Sequence, residues 1–277
     1  MLNPVGLFFR SFLSRSFNLE PVLPASRQRN QLFVVLGGIF LTNALLAEVI
    51  GVKIFSAETL LGVPPARISL LDSFVLDFNL TAGVVIWPVV FVTSDLINEY
   101  FGRDGVRRIS ILTAFFIAYA FVVIYAVTLL PPAKFWLEVN ATDRLGNPFD
   151  INEAFAKIFR QGLRIILGSI TAFLIGQLLD AYVFHALRRR TGSRQLWLRA
   201  TGSTLVSQLV DSFVVLFIAF YNPWSLEQVI AVGILNYLYK FSVAILLTPL
   251  LYLAHSLIDG YLGKPQAERL AEEAAKS

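Results

Sequence analysis

Nine polar residues interrupt otherwise apolar runs of the chain, and neighbours among them stand three or four positions apart. On a helix, residues at this spacing share one face, so each run would direct its polar groups the same way. An ionisable side chain inside a membrane costs about 2.5 to 3.5 kcal/mol, so each one needs a partner or a function. We therefore predict a polar cavity for a small solute, lined by Asp95, Asn98, Glu99, Gln177, Asp180, Gln208, Asp211, Asn236 and Lys240.

A cavity of carboxylates and amides suits a flat solute that forms hydrogen bonds along its edge. A carboxylate accepts two parallel N–H bonds, and a guanine-type ring offers them from its ring N–H and its exocyclic amine. The chain has four Trp and nine Tyr, whose rings can stack on the faces of such a solute. Strongly anionic solutes are disfavoured, because Lys240 stands against five acids, Glu48, Asp95, Glu99, Asp180 and Asp211.

Less specific roles are open for some of these residues. Single Ser, Thr, Asn and Gln side chains in membrane helices often serve only as hydrogen bonds between helices. Lys240 and one carboxylate could form a structural ion pair, and Glu48 and Glu99 could be hydrated near the membrane surface. Polar pairs on four helices exceed what such packing requires, which favours a substrate cavity.

The composition places these residues in a membrane protein. The 277-residue chain is 56% hydrophobic and 15% charged, whereas soluble domains carry about 25% charged residues. The absence of cysteine excludes disulfides and thiolate chemistry, and two histidines argue against a histidine-built metal centre. No phosphate-binding loop, dinucleotide glycine motif or zinc-protease motif is present, so we predict no cofactor and no enzymatic activity.

The chain is predicted to be an all-α integral membrane protein, a six-transmembrane-helix bundle with N- and C-termini in the cytoplasm. About 20 apolar helical residues cross the hydrocarbon core. Lys and Arg number 15 on the side of the termini and seven on the other, which orients the termini inward. The divisions are an N-terminal tail 1–30, a six-span domain 31–255 and a C-terminal tail 256–277. The predicted spans are 31–51, 80–100, 108–130, 163–187, 203–221 and 228–255.

Basic residues at the inner ends of the spans give an estimate of depth. Asp95 and Asp180 each precede an arginine, Arg103 and Arg188, by eight residues, or about 12 Å of helix. Asp211 follows Arg199 by 12 residues, or about 18 Å. The stretches GQLLDAYVF (176–184) and SQLVDSFVV (207–215) repeat one amide and carboxylate pattern, which predicts a helical hairpin. An amphipathic helix over 154–165 is expected to lead into the fourth span.

One stretch identifies a family resemblance. TSDLINEYFGRDGVRR (93–108) resembles the signature of the queuosine precursor transporter family, in which an acidic and amide segment is followed by an aromatic residue, a glycine and basic residues. Further segments match in the same order, TNALLAEVIGVKIF (42–55), AGVVIWPVVFVTSD (82–95), LRIILGSITAFLIGQLLDAYVF (163–184) and LWLRATGSTLVSQLVDSFVVLFIAF (196–220).

The resemblance implies a six-helix protein of the bacterial inner membrane that imports 7-cyano-7-deazaguanine and 7-aminomethyl-7-deazaguanine. By position it carries over Asp95, Asn98, Glu99, Gln177, Asp180, Gln208 and Asp211, whereas Asn236 and Lys240 rest on spacing alone. The expected partners are a deazapurine and the lipid bilayer, without nucleic acid, and the oligomeric state stays open. A second hypothesis is a substrate-binding membrane subunit that needs a separate ATPase complex. Residues 1–30 and 131–162 depart from the family pattern.

Overall fold

The structure, a computed structural model, describes residues 25–70, 74–160, 163–191, 195–220 and 225–276. Within these ranges the chain is mainly helical, which confirms the all-α class. Residues 1–24 of the predicted N-terminal tail lie outside the described residues, and the first described helix begins at Ala25, before the predicted position 31. Five helical segments in the described ranges are long and apolar enough to cross a membrane: Arg27–Ile50, Trp87–Thr128, Ile165–Thr191, Leu196–Phe220 and Leu226–Leu246.

The described helices and strands follow one another in a simple order. The helices are α1 (Ala25–Ile50), α2 (Ala57–Leu61), α3 (Trp87–Thr128), α4 (Lys134–Val139), α5 (Ile151–Phe159), α6 (Leu163–Thr191), α7 (Leu196–Phe220), α8 (Leu226–Leu246), α9 (Thr248–Leu262) and α10 (Lys264–Ala275). The strands are β1 (Ile54–Ser56), β2 (Ile68–Leu70), β3 (Phe74–Leu76) and β4 (Asn79–Thr81), and a 3-10 turn covers Ala82–Val85. β1 pairs with β4 and β2 pairs with β3, both antiparallel.

Helix α3 contains a sharp break at Gly102. A straight helix of its 42 residues would be about 63 Å long, twice the hydrocarbon thickness. Gly102 adopts φ 69° and ψ −171°, outside helical geometry. A Cβ at Gly105 would lie 3.4 Å from the side chain of Ile97, although eight residues of straight helix span about 12 Å. The two halves of α3 therefore fold back on each other at Gly102.

Helix α1 packs along both halves of α3. It runs antiparallel to the first half, since Ala47 lies against Gly83 and the rings of Phe33 and Phe101 are 5.0 Å apart. It runs parallel to the second half, where Gly37 meets Ile109. This arrangement places the predicted runs 80–100 and 108–130 side by side.

Two predicted boundaries are wrong for identifiable reasons. The run predicted from residue 80 becomes α-helical only at Trp87, because Asn79–Thr81 pairs with β1 and Pro88 suits only the first turn of a helix. The single span predicted over 228–255 is interrupted between α8 and α9, because Pro249 has no N–H to continue the helical ladder.

The two segments that connect α1 to α3 and α3 to α6 have local structure of their own. Glu58 is buried and accepts a hydrogen bond from the backbone N–H of Phe78, which holds the pKa of that carboxyl below its ordinary value. Helix α5 begins at Ile151, is capped by the side chain of Asp150, and ends at Phe159, short of the predicted residue 165. Arg160 donates to the side chain and carbonyl of Thr128 and ties this segment to the end of α3.

Replacing the glycine at the fold-back of α3 tests its conformational role. Gly102→Ala should destabilise the protein by about 1 to 3 kcal/mol, because side chains rarely tolerate this backbone region. Thermal unfolding in detergent measures the change. Gly38→Ala is the matched control, since a Cβ there meets no atom within 4 Å and alanine favours a helix. Equal melting temperatures for Gly102→Ala and wild type would refute the conformational argument.

Candidate substrate site within the helix bundle

The first half of α3 is the most enclosed segment of the bundle. All residues from Val90 to Tyr100 are buried, and a helix buried on every side belongs at the centre of a protein. The predicted Asp95, Asn98 and Glu99 therefore lie in the interior, where their polar groups meet other helices.

Asp180 of α6 is the hub of a cluster that joins three helices. Its carboxylate accepts from Asn98 Nδ2 at 3.2 Å, from Ser207 Oγ at 3.3 Å and from Thr204 Oγ1 at 3.5 Å. A second bond runs from Ser94 Oγ to Gln177 Oε1 at 2.7 Å. We call this set the central cluster, consisting of Ser94, Asp95, Asn98, Gln177, Asp180, Thr204 and Ser207.

Two acceptor atoms of the central cluster have no donor. Asp95 is 7% exposed and Asn98 is fully buried, yet Asp95 Oδ1 and Asn98 Oδ1 make no hydrogen bond. A buried acceptor without a donor costs about 1 to 3 kcal/mol. These two oxygen atoms can therefore accept hydrogen bonds from a bound solute.

Asp95 borders a small cavity between α3, α7 and the break that separates α8 from α9. The other lining residues are Phe91, Val92, Ala200, Thr201, Thr204, Ala244, Leu247, Thr248 and Leu251, and the space for water is about 20 Å³. That volume holds about one water molecule, whereas ligand pockets measure about 300 to 1,000 Å³. The structure is thus closed around Asp95, and a bicyclic solute requires the helices to separate.

Glu99 is held between two arginines, Arg188 and Arg199, which are predicted at the inner ends of the spans. Arg199 Nη2 lies 2.8 Å and Arg188 Nη1 3.3 Å from Glu99 Oε2. Arg199 is 1% exposed and Arg188 6%. We call Glu99, Arg188 and Arg199 the arginine cluster.

The burial of these arginines corrects their use as surface anchors. Both side chains pair with Glu99 inside the protein instead of reaching its surface, and the depths predicted from them for Asp180 and Asp211 stay predictions. Spacing along α7 could have indicated that Arg199 is buried. It lies one turn before Ser203 and two turns before Ser207, which are both on the buried face of α7. Arg188 also donates to the carbonyls of Glu99 and Ala271, which fastens α10 to the bundle.

Asp211 and Lys240 form an ion pair at a more exposed level, with side chains 19% and 22% exposed. Both act electrostatically on Glu48, which accepts a hydrogen bond from Ser169 at 2.6 Å. We call these four residues the outer cluster. Gly176 of α6 lies against Asp211, and Gly168 lies against Val215, so α6 and α7 form the antiparallel hairpin that the repeated pattern predicts.

The nine predicted residues therefore do not form one continuous lining. Asp95, Asn98, Gln177 and Asp180 meet in the central cluster, Glu99 belongs to the arginine cluster, and Asp211 and Lys240 belong to the outer cluster. Gln208 is buried beside Ser207, and Asn236 is half-buried one turn before Lys240. Among the described residues no hydrogen bond joins Gln208 or Asn236 to a cluster.

Comparison with known proteins decides the family. A family model described as "Putative vitamin uptake transporter" matches residues 81–254. The chain belongs to this family. The match runs from α3 into the first half of α9 and includes the central and arginine clusters, whereas Glu48 of the outer cluster precedes it. No solved structure matches the chain.

Relatives of this transporter carry names that agree with the resemblance in the sequence. A "Probable queuosine precursor transporter" of Bacillus subtilis is 35% identical over 184 residues, 65% of this chain and 75% of the relative. The Haemophilus influenzae protein of that name is 30% identical over 62% of this chain and 66% of its own length. The "Queuosine precursor transporter" of Escherichia coli is 29% identical over 62% and 70%. The family resemblance is confirmed, and the chain is a multi-pass membrane transporter and not an enzyme.

The arginine cluster predicts a large effect from a small change. Glu99→Gln keeps the size of the side chain but leaves two buried guanidinium groups without their carboxylate. Breaking a buried pair costs about 3 to 5 kcal/mol, so we expect a marked fall in melting temperature in detergent.

Glu273→Gln is the matched control for this substitution. It makes the same chemical change in an exposed ion pair with Arg269, and such surface pairs contribute about 0 to 1 kcal/mol. Similar melting temperatures for the two variants would mean that Glu99 does not neutralise the arginines.

Proposed function

We propose that this protein imports queuosine precursors, 7-cyano-7-deazaguanine and 7-aminomethyl-7-deazaguanine, across the bacterial inner membrane. The names of its relatives support the substrate class. The observation that carries the assignment to a site is the pair of unpartnered acceptors, Asp95 Oδ1 and Asn98 Oδ1, one turn apart on the buried half of α3. A solute with adjacent N–H donors would satisfy both.

The central cluster suits the edge of a deazaguanine. The Asp95 carboxylate would accept the ring N–H and the exocyclic amine as parallel bonds. Asn98 donates its amide N–H to Asp180, which leaves its carbonyl oxygen as an acceptor for the substrate. Asp180, in turn, has its own donors on α7 and positions Asn98. In this proposal Gln177, Gln208 and Glu99 complete the wall of the site.

The outer cluster would act at the entrance. Asp211 and Lys240 are more exposed than the central cluster, and they stand near Glu48. We place Asn236 with them, because it lies one turn before Lys240 on α8. An ion pair at an entrance can separate to let a solute pass and then close behind it, at small cost when both groups reach water.

We infer six membrane crossings with both termini in the cytoplasm. The two halves of α3 supply two of the crossings, since a 42-residue helix that folds back covers the bilayer twice. Removing the buried Arg188 and Arg199 from the count leaves 13 basic residues on the inner side against seven outside. The asymmetry that sets the orientation therefore survives this correction.

Substituting Asp95 tests the assignment. Asp95→Asn keeps the shape but replaces one acceptor with a donor that faces the N–H groups of the substrate. Hydrogen bonds to charged groups contribute about 1.5 to 3 kcal/mol each, so we expect binding of both precursors to weaken at least about 100-fold. Thermal stabilisation of the purified protein by a panel of deazapurines, guanine, adenine and vitamins measures it.

A control and an uptake assay complete this test. Asp143→Asn makes the same change in an exposed outer turn and should bind like wild type. Uptake by the protein alone in lipid vesicles is expected, whereas uptake only with an added ATPase complex would favour the substrate-binding subunit. Two results would contradict the assignment. One is wild-type binding by Asp95→Asn, and the other is a normal queuosine content in the tRNA of cells that carry this variant and depend on imported precursor.

A further inference from the structure

The buried charges around Asp95 do not balance. The charged groups that act on Asp95 are Glu99 on the same helix, Asp180 on α6 and Arg199 on α7. Arg188 adds a second positive charge through its contact with Glu99. Within the described residues, the lining from α8 and α9 contains no titratable group. Three carboxylates thus face two guanidinium groups, and an uncompensated buried charge costs several kcal/mol.

The missing positive charge belongs at Asp95 rather than at the other two carboxylates. Glu99 has both arginines as partners. Asp180 accepts from Asn98, Thr204 and Ser207, and hydrogen bonds of this kind stabilise an ionised carboxylate. Asp95 Oδ1 has no donor at all.

The cavity beside Asp95 selects a proton over a metal cation. A hard metal cation needs about six or more oxygen ligands, but the lining is mostly apolar. The hydroxyls of Thr201 and Thr248 bond to each other, and Thr204 donates to Asp180. The cavity has room for about one water, which can deliver a proton but cannot complete a coordination shell.

We propose that Asp95 carries a proton in this closed conformation and releases it when substrate binds. The neutral acid removes the excess charge while the helices are closed. The second half of the proposal rests on the proposed function, because the N–H edge of a deazaguanine requires the ionised carboxylate. Substrate and proton then compete for one side chain, and each molecule bound releases one proton.

Infrared spectroscopy tests the protonation without any substrate. Subtracting the Asp95→Asn spectrum from that of wild-type protein at pH 7 should leave the carbonyl stretch of one buried carboxylic acid. Asp211→Asn is the matched control and should keep it, because Lys240 neutralises Asp211. No band in wild type, or the same band in Asp95→Asn, would overturn the proposal. Loss of the band on adding sodium at constant pH would show a metal cation site instead.

The pH dependence of binding tests the release. Between pH 6 and 8, affinity for 7-cyano-7-deazaguanine should rise up to tenfold per pH unit, and calorimetry in buffers of different ionisation enthalpy should report one proton released. Affinity independent of pH, with no proton released, would overturn the linkage. Failure of every deazapurine to bind would refute the proposed function, while the infrared band would still decide whether Asp95 is protonated.

Discussion

The pairing of Glu99 with Arg188 and Arg199 is the interaction on which the closed bundle depends. It joins α3, α6 and α7 at a level where water is excluded, and Arg188 extends it to α10 through the Ala271 carbonyl. Removing charges from water is costly, and close mutual contact is what makes their burial possible. The central cluster lies next to this pairing, so the geometry of Asp95 and Asn98 depends on it.

A hydrogen bond next to Glu99 further stabilises the closed state. Tyr100 follows Glu99 and donates from its hydroxyl to Asp259 of α9 at 2.7 Å. Helix α10 packs against α3 beyond it, so part of the predicted C-terminal tail contacts the bundle. Access to Asp95 from this end requires these contacts to separate. The breaks at Gly102 and between α8 and α9 are the places where helices can move without losing regular hydrogen bonds, because their ladders are already interrupted there.

The sequence predicts faces of helices better than it predicts partners. Spacing put Gln177 with Asp180 on one face, and the hairpin of α6 and α7 followed from the repeated pattern. The bond from Asn98 to Asp180 spans 82 positions and depends on how two helices are rotated about their axes, which local spacing does not encode. Arg188 and Arg199 were misplaced because an arginine near the end of an apolar run can anchor at the surface or pair inside, and only the position of Glu99 decides. The interruption at Pro249 could have been predicted from the sequence, because proline lacks the N–H that continues a helix. The fold-back at Gly102 could not, because it is evident only from the contact between Gly105 and Ile97 in the structure.

Binding of a deazaguanine in front of Asp95 can be measured directly, because the chain contains no cysteine. A single Thr201→Cys would place a thiol on the wall that Asp95 shares, and Ser242→Cys would place one at an exposed position of α8. The rate of labelling by a small thiol reagent is then compared with and without 7-cyano-7-deazaguanine. The precursor should slow labelling of Thr201→Cys at least about tenfold, as expected for a site mostly occupied by ligand, and should leave labelling of Ser242→Cys unchanged. If saturating precursor protects neither cysteine, or both equally, the deazaguanine does not bind in front of Asp95.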